Sequence, residues 1–180
     1  IPASIAVHYQ FTFQPQETLW AAMPMMGDWS FTAVYLLGGE LASRLLNFSF
    51  LIILTGMLHQ ALRRFLPQSL SIFLAALFAS SPLIQLLIGS LFVENFWGMN
   101  LLAVFLLADL YWGSGKIHYA LLAAVMMGIS IATKFGSLGF IVPVLAFILV
   151  SAIRRKHFRW IAGLLACLLA FGVPHYARAY

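Results

Sequence analysis

Lys134 is the first candidate for chemistry in this sequence, because it stands alone in a long apolar stretch. It is the only Asp, Glu, Lys or Arg between Ile117 and Ile153. A cation inside a bilayer costs free energy unless it reaches the interface or meets an anion. Two interpretations follow. Lys134 anchors a short transmembrane helix by extending its ammonium group to the interface, or it binds the phosphate of an anionic lipid head group, since a low dielectric strengthens that attraction.

Glu94 is the second candidate, and it also has two interpretations. It lies in the stretch VENFW at residues 93–97, at the junction of two apolar runs. An acidic residue in the first turn of a helix is stabilised by the helix dipole, which gives Glu94 a structural role. Alternatively, its carboxylate lies at the mouth of a cavity and contacts a sugar hydroxyl, a cation or a donor head group.

The remaining outer charges are weaker candidates. Glu40 and Arg44 are four residues apart, with the acid first, which predicts a structural ion pair on one helical face. Glu17 flanks a Met- and Trp-containing segment that we predict to be interfacial, where it is either solvated or directed into a cavity. Arg178 is either an interface anchor or a second phosphate contact.

The composition is that of a polytopic membrane protein. The 180 residues are 63% hydrophobic and 8% charged, whereas soluble domains carry about 25% charged residues. Ten Lys and Arg residues outnumber five Asp and Glu, but the basic residues form short clusters between apolar runs and do not indicate nucleic-acid binding. A single cysteine excludes a disulfide within the chain, and no Cys/His spacing indicates a metal site.

Apolar runs long enough to cross a bilayer predict an all-α fold with about six transmembrane helices. They cover approximately residues 39–62, 69–90, 95–112, 117–134, 138–153 and 159–174. Ser80-Ser81-Pro82 interrupts the second run, and Gly136 and Gly139 predict the turn between the fourth and the fifth. Residues 1–38 are mixed and broken by prolines, which indicates part of an outer loop with interfacial helices. Residues 39–180 then form the transmembrane module.

The loop charges predict the orientation of these helices. Seven basic residues fall in alternate loops and therefore on one side, which the positive-inside rule makes cytoplasmic: Arg63, Arg64, Lys116, Arg154, Arg155, Lys156 and Arg159. Glu94 and Lys134 then both belong to the outer side. Lys134 is placed at the outer end of its helix, where its cost is lower, and we predict that it shares one outer cavity with Glu94.

Several short motifs follow one another in an order that resembles a known enzyme family. They are Ser81-Pro82 with Glu94 at the next outer turn, the stretch GISIATKF at residues 128–135, and Pro174 followed by Arg178. This order resembles the bacterial polyprenyl-phosphate-sugar-dependent membrane glycosyltransferases of the GT-C superfamily, which are related to protein O-mannosyltransferases and lipid A aminoarabinose transferases. The resemblance extends over nearly all of the chain.

The resemblance implies transfer of a hexosyl or pentosyl group from a polyprenyl-phosphate donor to a glycan, lipid or protein acceptor. The reaction would take place on the non-cytoplasmic face of a multi-pass protein of the bacterial inner (plasma) membrane. Lys134 and Arg178 would bind the donor phosphate, and Glu94 and Glu17 would contact sugar or acceptor. Some branches of the family use a divalent metal and others do not, and no ligand set is visible in this sequence.

The family's catalytic acid belongs to an outer loop after a first transmembrane helix, and this sequence begins at Ile1 inside that loop. His8-Tyr9 lacks the expected Asp. We therefore expect an internal fragment that is inactive alone, with its N-terminal span and catalytic acid upstream. One alternative is a transporter or permease fragment in which Glu94 and Lys134 line a substrate path, although only one break and no repeated half are evident. Another is a non-catalytic scaffold, which would need none of the outer charges.

Overall fold

A computed structural model describes residues 25–90 and 92–175, apart from the His175 side chain, and the chain divides into two compact units. The first unit contains the described residues from 27 to 102, and the second contains residues 25–26 and 103–175. All regular secondary structure in these residues is helical, which confirms the predicted all-α class.

Four helices lie wholly or partly in the first unit: α1 (Met26–Leu62), α2 (Gln68–Ala79), α3 (Pro82–Gly89) and α4 (Glu94–Ser114). Gly38 and Gly39 have non-helical backbone angles that kink α1, and Gly39 has a φ of 68°. A positive φ is accessible to glycine without steric cost, so this pair can redirect the helix. The kink coincides with residue 39, where the sequence predicts the first transmembrane helix to begin.

Ser80-Ser81-Pro82 breaks the second apolar run as predicted. Ser81 is extended, with φ −62° and ψ 141°, since the residue before a proline is disfavoured in the α region. Pro82 then occupies the first position of α3, where its missing N–H costs nothing. The two helices form a pair bent by 54°, and Nε2 of Gln85 donates to the Ala79 carbonyl at 2.7 Å.

The rest of the second unit consists of α5 (Ile117–Thr133), a 3-10 turn (Phe135–Ser137), α6 (Leu138–Arg154), α7 (Phe158–Gly172) and a final 3-10 turn (Val173–His175). The prediction that Gly139 marks the turn before α6 is wrong, because Gly139 lies inside α6. Neither Gly136 nor Gly139 has a positive φ. The turn is closed by a hydrogen bond from the Ser137 hydroxyl to the Ser130 carbonyl.

Three helical segments of the described residues are long and apolar enough to cross a membrane: α1, α4 and the joined residues Phe135–Arg154. The bent α2–α3 pair makes a fourth if it is one broken span, and α5 and α7 are shorter apolar helices. The membrane class is confirmed, and the count of six spans stays a prediction. Large apolar side chains on the surface, such as Leu37 at 87% and Leu41 at 71% exposure, fit contact with lipid.

Within the second unit, α5 and α7 pack closely through two glycines. A Cβ atom built on Gly128 would lie 2.7 Å from the Leu168 carbonyl oxygen and 2.8 Å from Cβ of Phe171. One built on Gly172 would lie 3.7 Å from Cα of Gly128. Small residues allow helix backbones to approach this closely in membranes. Gly128 is therefore required by packing, at the start of the motif that ends in Lys134.

We predict that Gly128→Ala destabilises the protein by about 1–3 kcal/mol, because the added methyl group meets backbone atoms that cannot move aside. Thermal unfolding of the purified protein in detergent measures the effect. Gly163→Ala is the matched control on α7, since its Cβ would lie 3.7 Å from Leu121 Cδ2, an ordinary contact. Equal melting temperatures for the two variants would contradict the prediction.

Candidate functional site

Lys134 lies directly after α5 in a turn that is held by one carbonyl group. Its backbone is extended, with φ −148° and ψ 130°. The Ser130 carbonyl accepts two hydrogen bonds, from the Lys134 N–H at 3.0 Å and from the Ser137 hydroxyl at 2.7 Å. The Ser137 N–H in turn donates to the Lys134 carbonyl at 3.0 Å. Lys134 thus leaves the helix at a fixed point, at the helix end where the sequence places it.

The neighbouring hydroxyl groups are committed to the backbone. Ser130 Oγ donates to the Met126 carbonyl at 2.8 Å, and Thr133 Oγ1 donates to the Ile129 carbonyl at 2.7 Å. Ser130 and Thr133 are buried, whereas Lys134 is partly exposed. The chemistry that this turn offers is therefore the ammonium group of Lys134.

Glu94 is the first residue of α4, so the predicted place in a first helical turn is confirmed. An anionic side chain there is stabilised by the helix dipole. The residue is partly buried, and its Oε2 atom is shielded from solvent. Its position fits the structural interpretation, and the interpretation of Glu94 as a cavity residue stays a prediction.

A buried asparagine pair fixes the backbone on both sides of the turn that leads to Glu94. Nδ2 of Asn47 donates to the carbonyls of Leu87 and Ser90, each at 2.8 Å. Its Oδ1 accepts from Nδ2 of Asn95 at 3.1 Å. The side chain of Asn47 therefore joins α1 to the end of α3 and to the first turn of α4.

Sequence reasoning missed Asn47, although a signal was present. Asn47 is the only amide side chain in the apolar run LLNFSFLIILTGML at residues 45–58. It has no accessible surface and Asn95 has 1%. Buried polar groups need partners, so an amide in such a run indicates a hydrogen-bonded contact. The partners, 40 or more residues away, cannot be read from that signal.

The predicted ion pair between Glu40 and Arg44 is present, with 2.6 Å between Arg44 Nη2 and Glu40 Oε1. Both side chains are exposed, so the pair contributes little to stability. On the same turn of α1, Ser43 is buried, and its hydroxyl donates to the Phe31 carbonyl at 3.1 Å. This bond connects the two sides of the kink at Gly38 and Gly39.

Glu17 and Arg178 lie outside the described residues, as does most of the predicted interfacial segment, and their roles stay predictions. Glu94 belongs to the first unit and Lys134 to the second, and the shared outer cavity also stays a prediction. Within residues 25–90 and 92–175, no three His, Cys, Asp or Glu side chains are grouped as metal ligands.

A family model described as dolichyl-phosphate-mannose-protein mannosyltransferase matches residues 22–176. The chain belongs to this family. The match confirms the resemblance to GT-C glycosyltransferases, and the protein is a membrane glycosyltransferase with a lipid-linked sugar donor and an acceptor. Membership favours the transferase over the transporter and scaffold alternatives.

The matched region includes Glu94 and Lys134 and excludes Glu17 and Arg178. No curated protein and no solved structure matches the chain.

We predict that Asn47→Leu destabilises this transferase by about 1–3 kcal/mol, because the Leu87 and Ser90 carbonyls and the Asn95 amide lose their buried partner. Chemical or thermal unfolding in detergent provides the measurement. Ser49→Ala is the control in the same helix, since the Ser49 hydroxyl is exposed and donates to the Leu45 carbonyl of its own helix. A melting temperature of Asn47→Leu at the level of this control would show that the network does not support the fold.

A pair of serine variants tests the turn at Lys134. Ser137→Ala removes the hydroxyl that closes the turn and should cost about 0.5–1.5 kcal/mol. Ser130→Ala should cost less, because the carbonyl that organises the turn remains and only a bond within α5 is lost. Hydrogen exchange of the Lys134 and Ser137 amides reports on the turn directly. Faster amide exchange in Ser130→Ala than in Ser137→Ala would contradict the assignment of the Ser137 hydroxyl as the group that closes the turn.

Proposed function

We propose that this membrane glycosyltransferase takes its sugar from a polyprenyl-phosphate donor and binds the donor phosphate at Lys134. The observation that carries the proposal is the position of Lys134: a cation at a fixed turn, after a helix with no other charged residue, inside the matched region. A phosphate on a lipid carrier is the anion that such a group would meet at a membrane surface. The family membership supplies the lipid-linked donor.

The chemistry of transfer explains why a fixed cation is useful. The bond between the sugar's anomeric carbon and the phosphate oxygen breaks, and negative charge develops on the departing lipid phosphate. A preorganised cation stabilises that charge without reorganising during the reaction. Lys134 supplies it, and Arg178 is the second phosphate ligand in this proposal.

The acceptor must lose a proton as the new glycosidic bond forms, and carboxylates suit contacts to sugar and acceptor hydroxyls. We assign such a contact to Glu94, because its carboxylate is partly enclosed at the first turn of α4. Glu17 is the second candidate for this role. Neither carboxylate is assigned as the general base.

The proposal places the reaction on the non-cytoplasmic face of a bacterial inner membrane, with residues 39–180 as the transmembrane module. The basic clusters support this orientation. They occur in alternate loops, and Glu94 and Lys134 lie in the loops between them, which the positive-inside rule assigns to the non-cytoplasmic side. The acceptor is a glycan, a lipid or a protein on that face.

We predict that Lys134→Ala weakens binding of a polyprenyl phosphate by roughly 10- to 100-fold, because the phosphate loses one of its two proposed cationic ligands. The probe is the sugar-free polyprenyl phosphate, compared with the corresponding polyprenol, which lacks the phosphate. The wild-type protein should prefer the phosphate, and Lys134→Ala should lose most of that preference, with Arg178 supplying the remainder. Lys134→Arg should retain most of the preference, since it keeps the charge.

Arg63→Ala is the charge-matched control for this experiment, since Arg63 is exposed and lies in another loop. It should keep the preference for the phosphate. Melting temperatures separate loss of binding from loss of fold. Unchanged phosphate preference in a well-folded Lys134→Ala variant would refute the donor role of Lys134.

A further inference from the structure

Three exposed basic side chains surround the connection between α6 and α7. Arg154 ends α6, Lys156 lies in the connection, and Arg159 lies in the first turn of α7. Within the described residues, their side chains form no hydrogen bond or ion pair with the protein. Arg159 packs over the ring of Trp160, 5.7 Å from its centroid. We call the three residues the basic turn.

Arg155 lies in the same connection but, unlike the basic turn, is bound to α4. Its guanidinium donates to the Trp112 carbonyl near the end of α4 and lies 5.9 Å from the centroid of the Tyr111 ring. A cation there is favoured by the partial negative charge of the helix end. Arg155 is thus a structural residue that ties the connection to α4.

A second contact strengthens this attachment. The Tyr111 hydroxyl lies 3.0 Å from Nδ1 of His157, and Tyr111 has no accessible surface. Two neighbouring residues of the connection, Arg155 and His157, are therefore fastened to α4. The backbone that carries the basic turn is therefore positioned before any ligand binds, which lowers the entropy cost of binding.

We propose that the basic turn binds the phosphate of an anionic phospholipid head group. Three exposed cations that lie within six residues of one another, and whose side chains make no hydrogen bond or ion pair with the described part of the chain, complement that charge. Basic residues next to a transmembrane helix attract anionic lipids. Phe158 is 59% exposed and Trp160 is 36% exposed beside them, and aromatic side chains of this kind lie at the membrane interface. A ligand with both a phosphate and apolar chains, a lipid, fits the surface better than free phosphate does.

This site is separate from the proposed donor site. The turn at Lys134 precedes α6 and the basic turn follows it, and α6 has 17 residues, about 26 Å at the rise of an α-helix. The two sites therefore lie at opposite ends of the same helix. The lipid would act as a structural or regulatory ligand, not as the sugar donor.

The test compares dioleoylphosphatidylglycerol with dioleoylphosphatidylcholine on the full chain, by native mass spectrometry and by competition in nanodiscs. Wild-type protein should prefer the anionic lipid, and the preference should fall as salt is raised. The variant R154Q/K156Q/R159Q should bind the anionic lipid roughly 100-fold more weakly, about fivefold for each charge. Its binding of phosphatidylcholine should not change. Inorganic phosphate at the same concentration should not displace the lipid.

The variant R44Q/R63Q/R64Q removes the same number of charges elsewhere and should retain the preference. Equal losses in the two triple variants would mean that net charge, not the basic turn, attracts the lipid, and this would overturn the proposal. Equal binding of the two lipids by the wild-type protein would overturn it as well. Single variants, each expected to weaken binding about fivefold, replace the triple variant if that variant does not insert into the membrane.

Discussion

The main-chain groups that lose their helical partners at a helix end need new ones, and in a membrane no water in the hydrocarbon core can supply them. In this protein, side chains donate to main-chain carbonyls near several helix ends and kinks, and most of these side chains come from another part of the chain. Two of the carbonyls, those of His59 and Ser130, also keep a main-chain donor. The pairs of donor side chain and accepting carbonyl are Ser43 with Phe31, Ser71 with His59, Asn47 with Leu87 and Ser90, Arg155 with Trp112, and Ser137 with Ser130. These side-chain hydrogen bonds fasten the nearby helix ends to neighbouring segments.

The two best candidates for chemistry both follow junctions of this kind. Lys134 comes after the end of α5, where Ser137 closes the turn, and Glu94 comes after the end of α3, where Asn47 holds the last carbonyls. A charge that stabilises a departing phosphate acts best from a fixed position. The hydrogen bonds of these junctions therefore also place the charged groups, so under the proposed function stability and donor binding depend on the same contacts.

The motif GISIATKF combines two physical requirements in eight residues. Gly128 allows α5 to contact α7 through their backbones, because any side chain there would overlap the Leu168 carbonyl and Phe171. Lys134 supplies the charge at the end of the same helix. The motif thus describes a helix that is held tightly at one point so that its end, with the cation, has a defined position.

The sequence by itself determined whatever depends on local chemistry. Hydropathy gave the all-α membrane class, Pro82 gave the break between α2 and α3, and the spacing of Glu40 and Arg44 gave their ion pair, because each effect acts within a few residues. Only the tertiary structure decided which carbonyls Asn47 binds, 40 or more residues away. It also decided that Arg155, among several exposed basic residues, is the one that binds the Trp112 carbonyl. It further decided how the turn before α6 is closed, by the hydrogen bond from the Ser137 hydroxyl to the Ser130 carbonyl. These outcomes depend on which segments meet in the folded protein, and local pattern does not contain that information.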